Sequence, residues 1–510
     1  MPSARAIGHL LPDPLLSRFS EFLAARLGLS FPRERWGDLE RALAVAAKDF
    51  GFQDAESCMQ WLRSSPLTTS QVEILASHLT VGETYFFREK AIFSALQEYI
   101  LPGLIRSRRE TERRIRIWSA GCCTGEEPYS IAIALTKVLP DIKDWNITLL
   151  ASDINPRFLR KASLGIYDNW SFRDAPPGLK ETYFTQTNKG RFEIAPRIKA
   201  LVTYAYLNLA DDVYPSVENN TNAMDIVFCR NVLMYFQPER AKSVIEKLRR
   251  SLVEGGWLIV SPVEASLVAL PDFAIAGLPD VILYRKDTNG VRENRATQEN
   301  SGRAIDPPSV LYEQPAGLDV REIPQTGDGG ALPQEGDAHR PPTPEQVYLE
   351  ASICYAQGRY AEAVETAQAL LSQDANHVET MALLARAYAN QGHLADAMSW
   401  CNRAIAADKL NPGWPYLLAS ILQERGQAEE AIAALKRTLY LEQNYALAHF
   451  ALGNLMRRQG KHKQSSRHFG NALSILSGYR RDQVLPESEG ITAGRLIEII
   501  RSTMAGEVSA

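Results

Sequence analysis

Residues able to manage a charged ligand fall into three short segments of this chain, each at the end of an apolar run. The first reads Gly121-Cys122-Cys123-Thr124-Gly125-Glu126-Glu127-Pro128. Its two glycines allow a ligand to approach the backbone closely at a strand-to-helix turn. A dinucleotide fingerprint would need a different spacing and a third glycine. Glu126 and Glu127 would also repel a pyrophosphate, so the turn suits a cationic or zwitterionic ligand. The same residues equally suit a plain tight turn, with Pro128 as first helical residue and the glutamates facing the helix dipole. The second segment, Ala151-Ser152-Asp153-Ile154-Asn155-Pro156, offers a carboxylate placed to accept hydrogen bonds from ribose hydroxyls, or to cap a helix beginning at Pro156. The third puts Arg230, Asn231 and Tyr235 just beyond the run Asp225–Cys229, at the edge where open α/β sheets bind ligands. Tyr235 also suits a half-buried core aromatic.

What is missing limits the chemistry. The eight histidines lie at 9, 78, 339, 377, 393, 449, 462 and 468, leaving 79–338 without one. A histidine base from within that stretch is excluded, and with it the usual partner that would activate Cys122, Cys123 or Cys229 as a nucleophile. The six cysteines show neither CxxC nor CxxC…HxxxH spacing. That speaks against a disulfide scaffold and a metal site, and fits a reducing cytoplasm. Upstream, Gly82-Glu83-Thr84-Tyr85-Phe86-Phe87-Arg88-Glu89 follows an apolar helix containing Val72, Leu75 and Leu79. Its aromatics read as core and Arg88 as surface. The arginine-rich run 106–116 reads as a solvated loop or helix end.

The elements that must position these segments follow from periodicity. The first seventy-five residues carry apolar clusters at helical spacing (Leu15, Phe19, Phe22, Leu23, Leu27; Leu39, Leu43, Ala46) and predict a small all-α domain over 1–78. Strand-like runs at 115–120, 147–152, 225–229 and 257–261, separated by helical stretches from Pro128, Pro156 and Pro238, predict an α/β unit over 79–286 with a mostly parallel sheet. Residues 287–343, rich in Pro, Gly, Asp, Glu and Gln, read as a flexible linker. Beyond them a glycine recurs every thirty-four residues, at Gly358, Gly392, Gly426 and Gly460. Small residues stand five positions after each (Ala363, Ala397, Ala431, Ser465) and seven before (Ala351, Ala385, Ala419, Gly453). This is the signature of tetratricopeptide repeats, whose antiparallel helices pack closely only where side chains are small. Four repeats are expected at 344–377, 378–411, 412–445 and 446–479. A tail over 480–510 follows, in which Thr492 can cap a helix that covers the end of the solenoid.

Bulk composition agrees with several globular units. The chain has 510 residues, 45% apolar and 23% charged, and its 56 basic and 60 acidic residues leave a net charge of -4. That balance speaks against a dedicated nucleic-acid or polybasic membrane binder. The most apolar long stretch, 257–278, is broken by Glu264, Asp272, Pro262 and Pro271, so no membrane insertion is expected. No secretory signal is expected in the first thirty residues.

Taken together, residues 84–88, 118–130, 151–154, 207–209 and 228–236 resemble the CheR family of chemoreceptor glutamate methyltransferases, over about residues 10–286 and in the family's order. The repeats match the branch of that family with C-terminal tetratricopeptide repeats. The resemblance implies a Rossmann-like domain that uses S-adenosylmethionine to methylate glutamates on the cytoplasmic region of methyl-accepting chemotaxis receptors. By motif, Thr84, Arg88, Glu126, Glu127, Asp153, Asn208, Leu209, Arg230 and Asn231 would surround that cofactor. Arg88 and Tyr235 would lie nearest the transferring methyl. A small β-subdomain is implied at about 163–206; it shows no matching peptide-binding motif, and the repeats would engage a further protein partner. Attack by a carboxylate, ionised at neutral pH, needs no general base, in keeping with the histidine gap. Two other readings stand beside this one: a non-catalytic scaffold that binds the cofactor and acts through its repeats, and a methyltransferase of small molecules.

Overall fold

Alternating apolar and capping residues set the first four helices, α1 (Asp13–Leu27), α2 (Trp36–Asp49), α3 (Ala55–Arg63) and α4 (Thr69–Leu79). Asp54 caps α3 by accepting from the Ser57 N–H, and Thr68 forms a capping box with Gln71 at α4. Leu16, Phe19, Leu23, Leu39, Leu43 and Leu75 meet in one buried cluster. The computed structural model describes residues 11–217, 219–268, 273–278, 281–287, 343–481, 483–488 and 491–508. The linker expected over 287–343 lies, apart from its two end residues, outside the described residues.

After α5 (Lys90–Ala95) and α6 (Leu101–Arg108) the chain enters a sheet. Its first strands are β1 (Arg114–Ala120), buried along its whole length, and β2 (Asn146–Asp153). A separate antiparallel sheet of three short strands, β3 (Ile166–Tyr167), β4 (Phe184–Gln186) and β5 (Phe192–Ile194), has the order β3-β5-β4. It is narrower than the expected subdomain. The next strand, β6 (Val202–Tyr206), pairs parallel with β2 and so belongs to the main sheet. With β7 (Met224–Phe228), β8 (Leu252–Ile259), β9 (Phe273–Leu278) and β10 (Val281–Lys286), the main sheet has the order β6-β2-β1-β7-β8-β10-β9. It is parallel from β6 to β8 and antiparallel at β10 and β9. Helices α7 (Glu126–Val138), α8 (Pro156–Leu164) and α11 (Pro238–Ser251) connect the parallel strands, with the short α9 (Leu179–Tyr183) and α10 (Pro196–Lys199) between the last two. Pro156 and Pro238 open their helices, but Pro128 is the third helical residue, because Gly125 is the N-cap of α7. Two buried apolar clusters cover the two faces of the sheet.

The last part is a stack of helix pairs: α12 (Pro344–Ala356) with α13 (Tyr360–Gln373), α14 (Val378–Asn390) with α15 (Leu394–Ala407), α16 (Gly413–Glu424) with α17 (Ala428–Leu441), and α18 (Ala446–Arg458) with α19 (His462–Leu476). The four periodic glycines hold the turns with φ of 71–82°, a conformation glycine adopts at least cost. Ala351, Ala363, Ala385, Ala397, Ala419, Ala431 and Ser465 are all buried between helices. A final helix, α20 (Ala493–Val508), follows Thr492 and buries Leu496 and Ile500 in the cluster that closes the stack.

The stack sits on the amino-terminal ends of the sheet's strands. There Glu424, at the end of α16, faces Arg114 at 3.4 Å and Arg116 at 3.9 Å and accepts from the Asn222 amide at 2.7 Å. Asn146 donates to the Glu424 carbonyl at 2.6 Å, and Arg250 donates to the Ala356 carbonyl at 2.9 Å. Three of the four turn glycines press directly on this surface: a Cβ on Gly358 would strike Arg250, one on Gly392 would lie 2.8 Å from Arg114, and one on Gly426 3.3 Å from Asn146. Val217 joins the buried apolar cluster formed by the first three repeats. The expectation of a solvated arginine run over 106–116 is therefore wrong at its end, where Arg114 and Arg116 are 3% and 1% exposed. Tertiary contact buries them: Arg114 meets the repeats some three hundred residues away, and Arg116 donates to the carbonyls of Asn220 and Asn222, about a hundred residues away, with Glu424 beyond.

Candidate functional site

At the opposite edge, the carboxyl ends of β1, β2, β6 and β7 surround a cavity of about 260 Å³. This is where a parallel sheet reverses its order and leaves a crevice. Between β1 and α7 the chain turns through Gly121 (φ 81°), Cys123 (φ 50°) and Gly125 (φ 95°). Gly121 cannot carry a side chain because Val232 fills that space. A Cβ on Gly125 would lie 2.8–2.9 Å from Ala162 and the hydroxyls of Tyr167 and Tyr204. The glycines thus serve close packing as well as the open turn.

Asp153 ends β2 inside the cavity, 8% exposed. One carboxylate oxygen accepts the Cys123 N–H and the other the Asn155 N–H, both at 2.8 Å. Burial pushes its pKa up to about 6, and those two backbone donors oppose the rise. The N-cap of α8 is Asn155, which accepts from Arg157 at 2.9 Å; the capping reading for Asp153 is thereby excluded.

Glu126 and Glu127 part company. Glu127 lines the cavity, and its oxygens take the Ser119 hydroxyl at 2.7 Å and the Arg230 guanidinium at 3.0 Å. Glu126 does not line it. This side chain is buried beneath the turn, bonded to Thr124 at 2.7 Å and Ser171 at 2.9 Å, and burial raises its pKa. The helix begins at Glu126, and successive residues point about 100° apart, so only one of the two can face the cavity.

Arg230 is a buried hub. Besides Glu127 it holds the Arg88 carbonyl at 2.8 Å and faces Glu89 at 3.1 Å. That ties the loop after α4 to the sheet. In this loop Phe87 (φ 58°) and Glu89 (φ 63°) adopt left-handed conformations that side chains disfavour. As a result Phe86 and Phe87 enter the core while Thr84, Tyr85 and Arg88 line the cavity. Asn208 and Leu209 line the wall beyond β6, where Asn208 accepts from the Ala210 N–H at 3.0 Å. Asn231 (φ 56°) and Tyr235 line it beyond β7. Burial raises the Tyr235 pKa, opposed by the guanidiniums of Arg35 and Arg88.

Two contributors had no distinctive signal in the sequence. Arg35, from the loop before α2, lines the cavity with its guanidinium carbon 5.5 Å from the Tyr235 ring centre and 5.1 Å from that of Phe31. Ser30 donates its N–H to the Tyr235 carbonyl at 2.7 Å, so the all-α domain closes one side of the site. Glu264, fully buried, gathers the N–H groups of Asn231 and Val232 at 2.7 Å, Met234 at 3.3 Å and Ser261 at 3.2 Å, and the Ser261 hydroxyl at 2.6 Å. The thiols of Cys122, Cys123 and Cys229 are all raised, first by burial, which keeps them protonated and poorly nucleophilic.

Comparison with known proteins places these features. Residues 82–270 match the family described as CheR methyltransferase, SAM binding domain, and residues 355–421 match the tetratricopeptide repeat. The "Probable biofilm formation methyltransferase WspC" of Pseudomonas aeruginosa is 27% identical over 453 residues, 88% of this chain and 96% of that protein. A "Probable chemotaxis protein methyltransferase" of Rhizobium etli is 34% identical over 202 residues, 39% of this chain and 73% of that protein. "Chemotaxis protein methyltransferase 1" of Pseudomonas aeruginosa is 33% identical over 219 residues, 42% and 77% of the respective lengths.

Proposed function

Because the chain belongs to the CheR family of S-adenosylmethionine-dependent methyltransferases, we propose that it methylates glutamate side chains on the cytoplasmic region of methyl-accepting chemoreceptors. One observation carries this reading. The cavity gathers Arg88, Arg35 and Tyr235 at one wall and includes no histidine among its lining residues. Such a site offers no imidazole base, and the carboxylates that line it, Glu127 and Asp153, are engaged by Arg230 and by backbone N–H groups; its cationic wall suits a carboxylate that arrives already ionised.

The donor set fits the cofactor. Each oxygen of Asp153 keeps accepting capacity for a ribose hydroxyl beyond its backbone partner. Phe158, Ile154 and Leu209 supply an apolar wall for an aromatic base. Glu127 and Arg230, with Thr84, Asn208 and Asn231, suit a zwitterion. S-adenosylmethionine, when bound, supplies a methyl group made electrophilic by its sulfonium. The work left to this chain is alignment and exclusion of water. Arg88 orients the acceptor carboxylate by charge, and Tyr235 offers a neutral hydroxyl, whose pKa burial raises further. Arg230 keeps Arg88 in place through its carbonyl. The repeats, fixed to the far edge of the sheet, leave the cavity mouth open and are proposed to hold a further protein. No helix among the described residues is long and apolar enough to cross a membrane.

The test incubates the protein with methyl-labelled S-adenosylmethionine and receptor-containing membranes. Label released as methanol by mild alkali is expected, since carboxyl esters hydrolyse there. Cofactor binding without such label, or full rates in both Arg88→Ala and Tyr235→Phe, would overturn the proposal.

A further inference from the structure

Beside the cavity mouth lies a side-chain arrangement whose outer members, Trp170 and Arg173, none of the chemistry above uses. Trp170, in the short helical turn Asn169–Phe172, is 71% exposed, an unusual state for the largest apolar side chain. Arg173 is stacked between two rings, with its guanidinium carbon 4.7 Å from the centre of Trp170 and 3.8 Å from that of Tyr85. Tyr85 in turn carries Arg88 at 5.6 Å and lines the cavity. The order Trp170, Arg173, Tyr85, Arg88 is therefore a continuous ledge from solvent into the site. Hydrogen bonds fix it: Arg173 donates to the Trp170 carbonyl at 3.1 Å and to Glu83 at 3.4 Å, and Asp168 accepts the Trp170 N–H at 3.0 Å. Two further apolar side chains, Val81 (53% exposed) and Met234 (49% exposed), line the cavity from the same mouth.

Exposed apolar groups around a pocket mark a place where a partner covers them. A planar guanidinium held between rings is preorganised and loses little freedom on binding. We infer that this ledge is the docking surface for the acceptor polypeptide, and that its occupant is an acidic segment whose backbone and apolar side chains cover Trp170, Val81 and Met234 while one carboxylate reaches Arg88. The charge argument is local. Glu83 and Asp168 are engaged by Arg173 and the Trp170 backbone, whereas Arg35 and Arg88 stand beside Tyr235 at one wall of the cavity, so the pocket end of the ledge is cationic. A free amino acid or other small acceptor would leave the outer ledge bare, which is why a polypeptide is required.

The inference rests on the proposed carboxyl methylation, and the experiment separates the two. The probe is a purified cytoplasmic fragment of a methyl-accepting chemoreceptor, used with the full chain and with Trp170→Ala, Arg173→Lys and the double variant. The expected result is a rise of roughly tenfold in KM for the fragment in each single variant, with kcat and the calorimetric Kd for S-adenosylmethionine within about twofold of the parent. A KM unchanged in the double variant, while the parent esterifies the fragment, overturns the docking surface and leaves the reaction standing. A parent that forms no alkali-labile ester overturns the reaction. Binding of the fluorescently labelled fragment to protein saturated with S-adenosylhomocysteine then decides the ledge alone: weaker binding by Trp170→Ala supports it, and equal or absent binding refutes it.

Discussion

Replacing Glu264 by glutamine changes one atom type in a side chain that reaches no ligand, and it is expected to damage the site. Both carboxylate oxygens are fully used by five donors, four backbone N–H groups and one hydroxyl; three of these bonds measure 2.6–2.7 Å and the other two 3.2 and 3.3 Å. Three of the N–H groups belong to Asn231, Val232 and Met234, the segment that aims Asn231 and Tyr235 and includes a left-handed residue at 231. A glutamine keeps one accepting oxygen and opposes an NH2 group to the donors at the other. About two hydrogen bonds to a charged acceptor are lost, each about 1.5–3 kcal/mol, and partial relaxation reduces the sum to about 3 kcal/mol. For a unit of this size that is about 6–12 °C in Tm. Release of the loop also displaces Tyr235, and a misplacement of about 1 Å can cost about a hundredfold in rate. Thermal unfolding of purified Glu264→Gln, followed by turnover at a temperature where it remains folded, tests both effects. A midpoint within about 2 °C and turnover within about twofold of the parent would refute the reasoning.

Two further outcomes are expected. Glu424→Ala removes the carboxylate that faces Arg114 and Arg116 in a buried interface, where breaking a buried pair costs about 3–5 kcal/mol, reduced here by Glu112 at 3.5 Å from Arg114 and the carbonyls of Asn220 and Asn222 around Arg116; two separate unfolding transitions by calorimetry, with catalysis per folded molecule retained, are expected, and a single unshifted transition would disprove the docking role. For Asp153, whose pKa rises from 3.8 to about 6, the folded protein binds the extra proton, so this group's stabilising contribution is present below about pH 4 and is lost as pH rises through about 6. Cofactor hydroxyls need the ionised form, so calorimetric affinity for S-adenosylmethionine is expected to weaken as pH falls below about 6, by up to about tenfold per unit, and to be weak and pH-flat in Asp153→Asn; a flat profile in the parent would sink the assignment.

Much of the site was legible because local rules govern it. Strand-like runs place Asp153, Arg230 and Asn231 at the carboxyl ends of parallel strands, and Glu127 in the first turn of the helix that follows one. The error at Glu126 came from the same source: two adjacent carboxylates look alike in sequence, and only the phase of α7 sends one to the cavity and the other beneath the turn. Arg35 and Glu264 left no local mark, because their roles arise from chain segments brought together from far apart.

Sequence by itself determined the helical period of the repeats, the parallel order of strands and helices, and the absence of a histidine base, since each depends on residue type and spacing alone. Tertiary structure decided what those elements touch. The turn glycines were required locally for a left-handed bend, yet Gly358, Gly392 and Gly426 also lie against Arg250, Arg114 and Asn146, whereas Gly460, identical in its repeat, meets nothing within 4 Å. The arginines at 114 and 116 read as solvated; the repeats supply Glu424 to Arg114, and the loop before β7 supplies the Asn220 and Asn222 carbonyls to Arg116. Whether a charge is exposed or buried depends on its partner in space, and spacing along the chain carries no record of that.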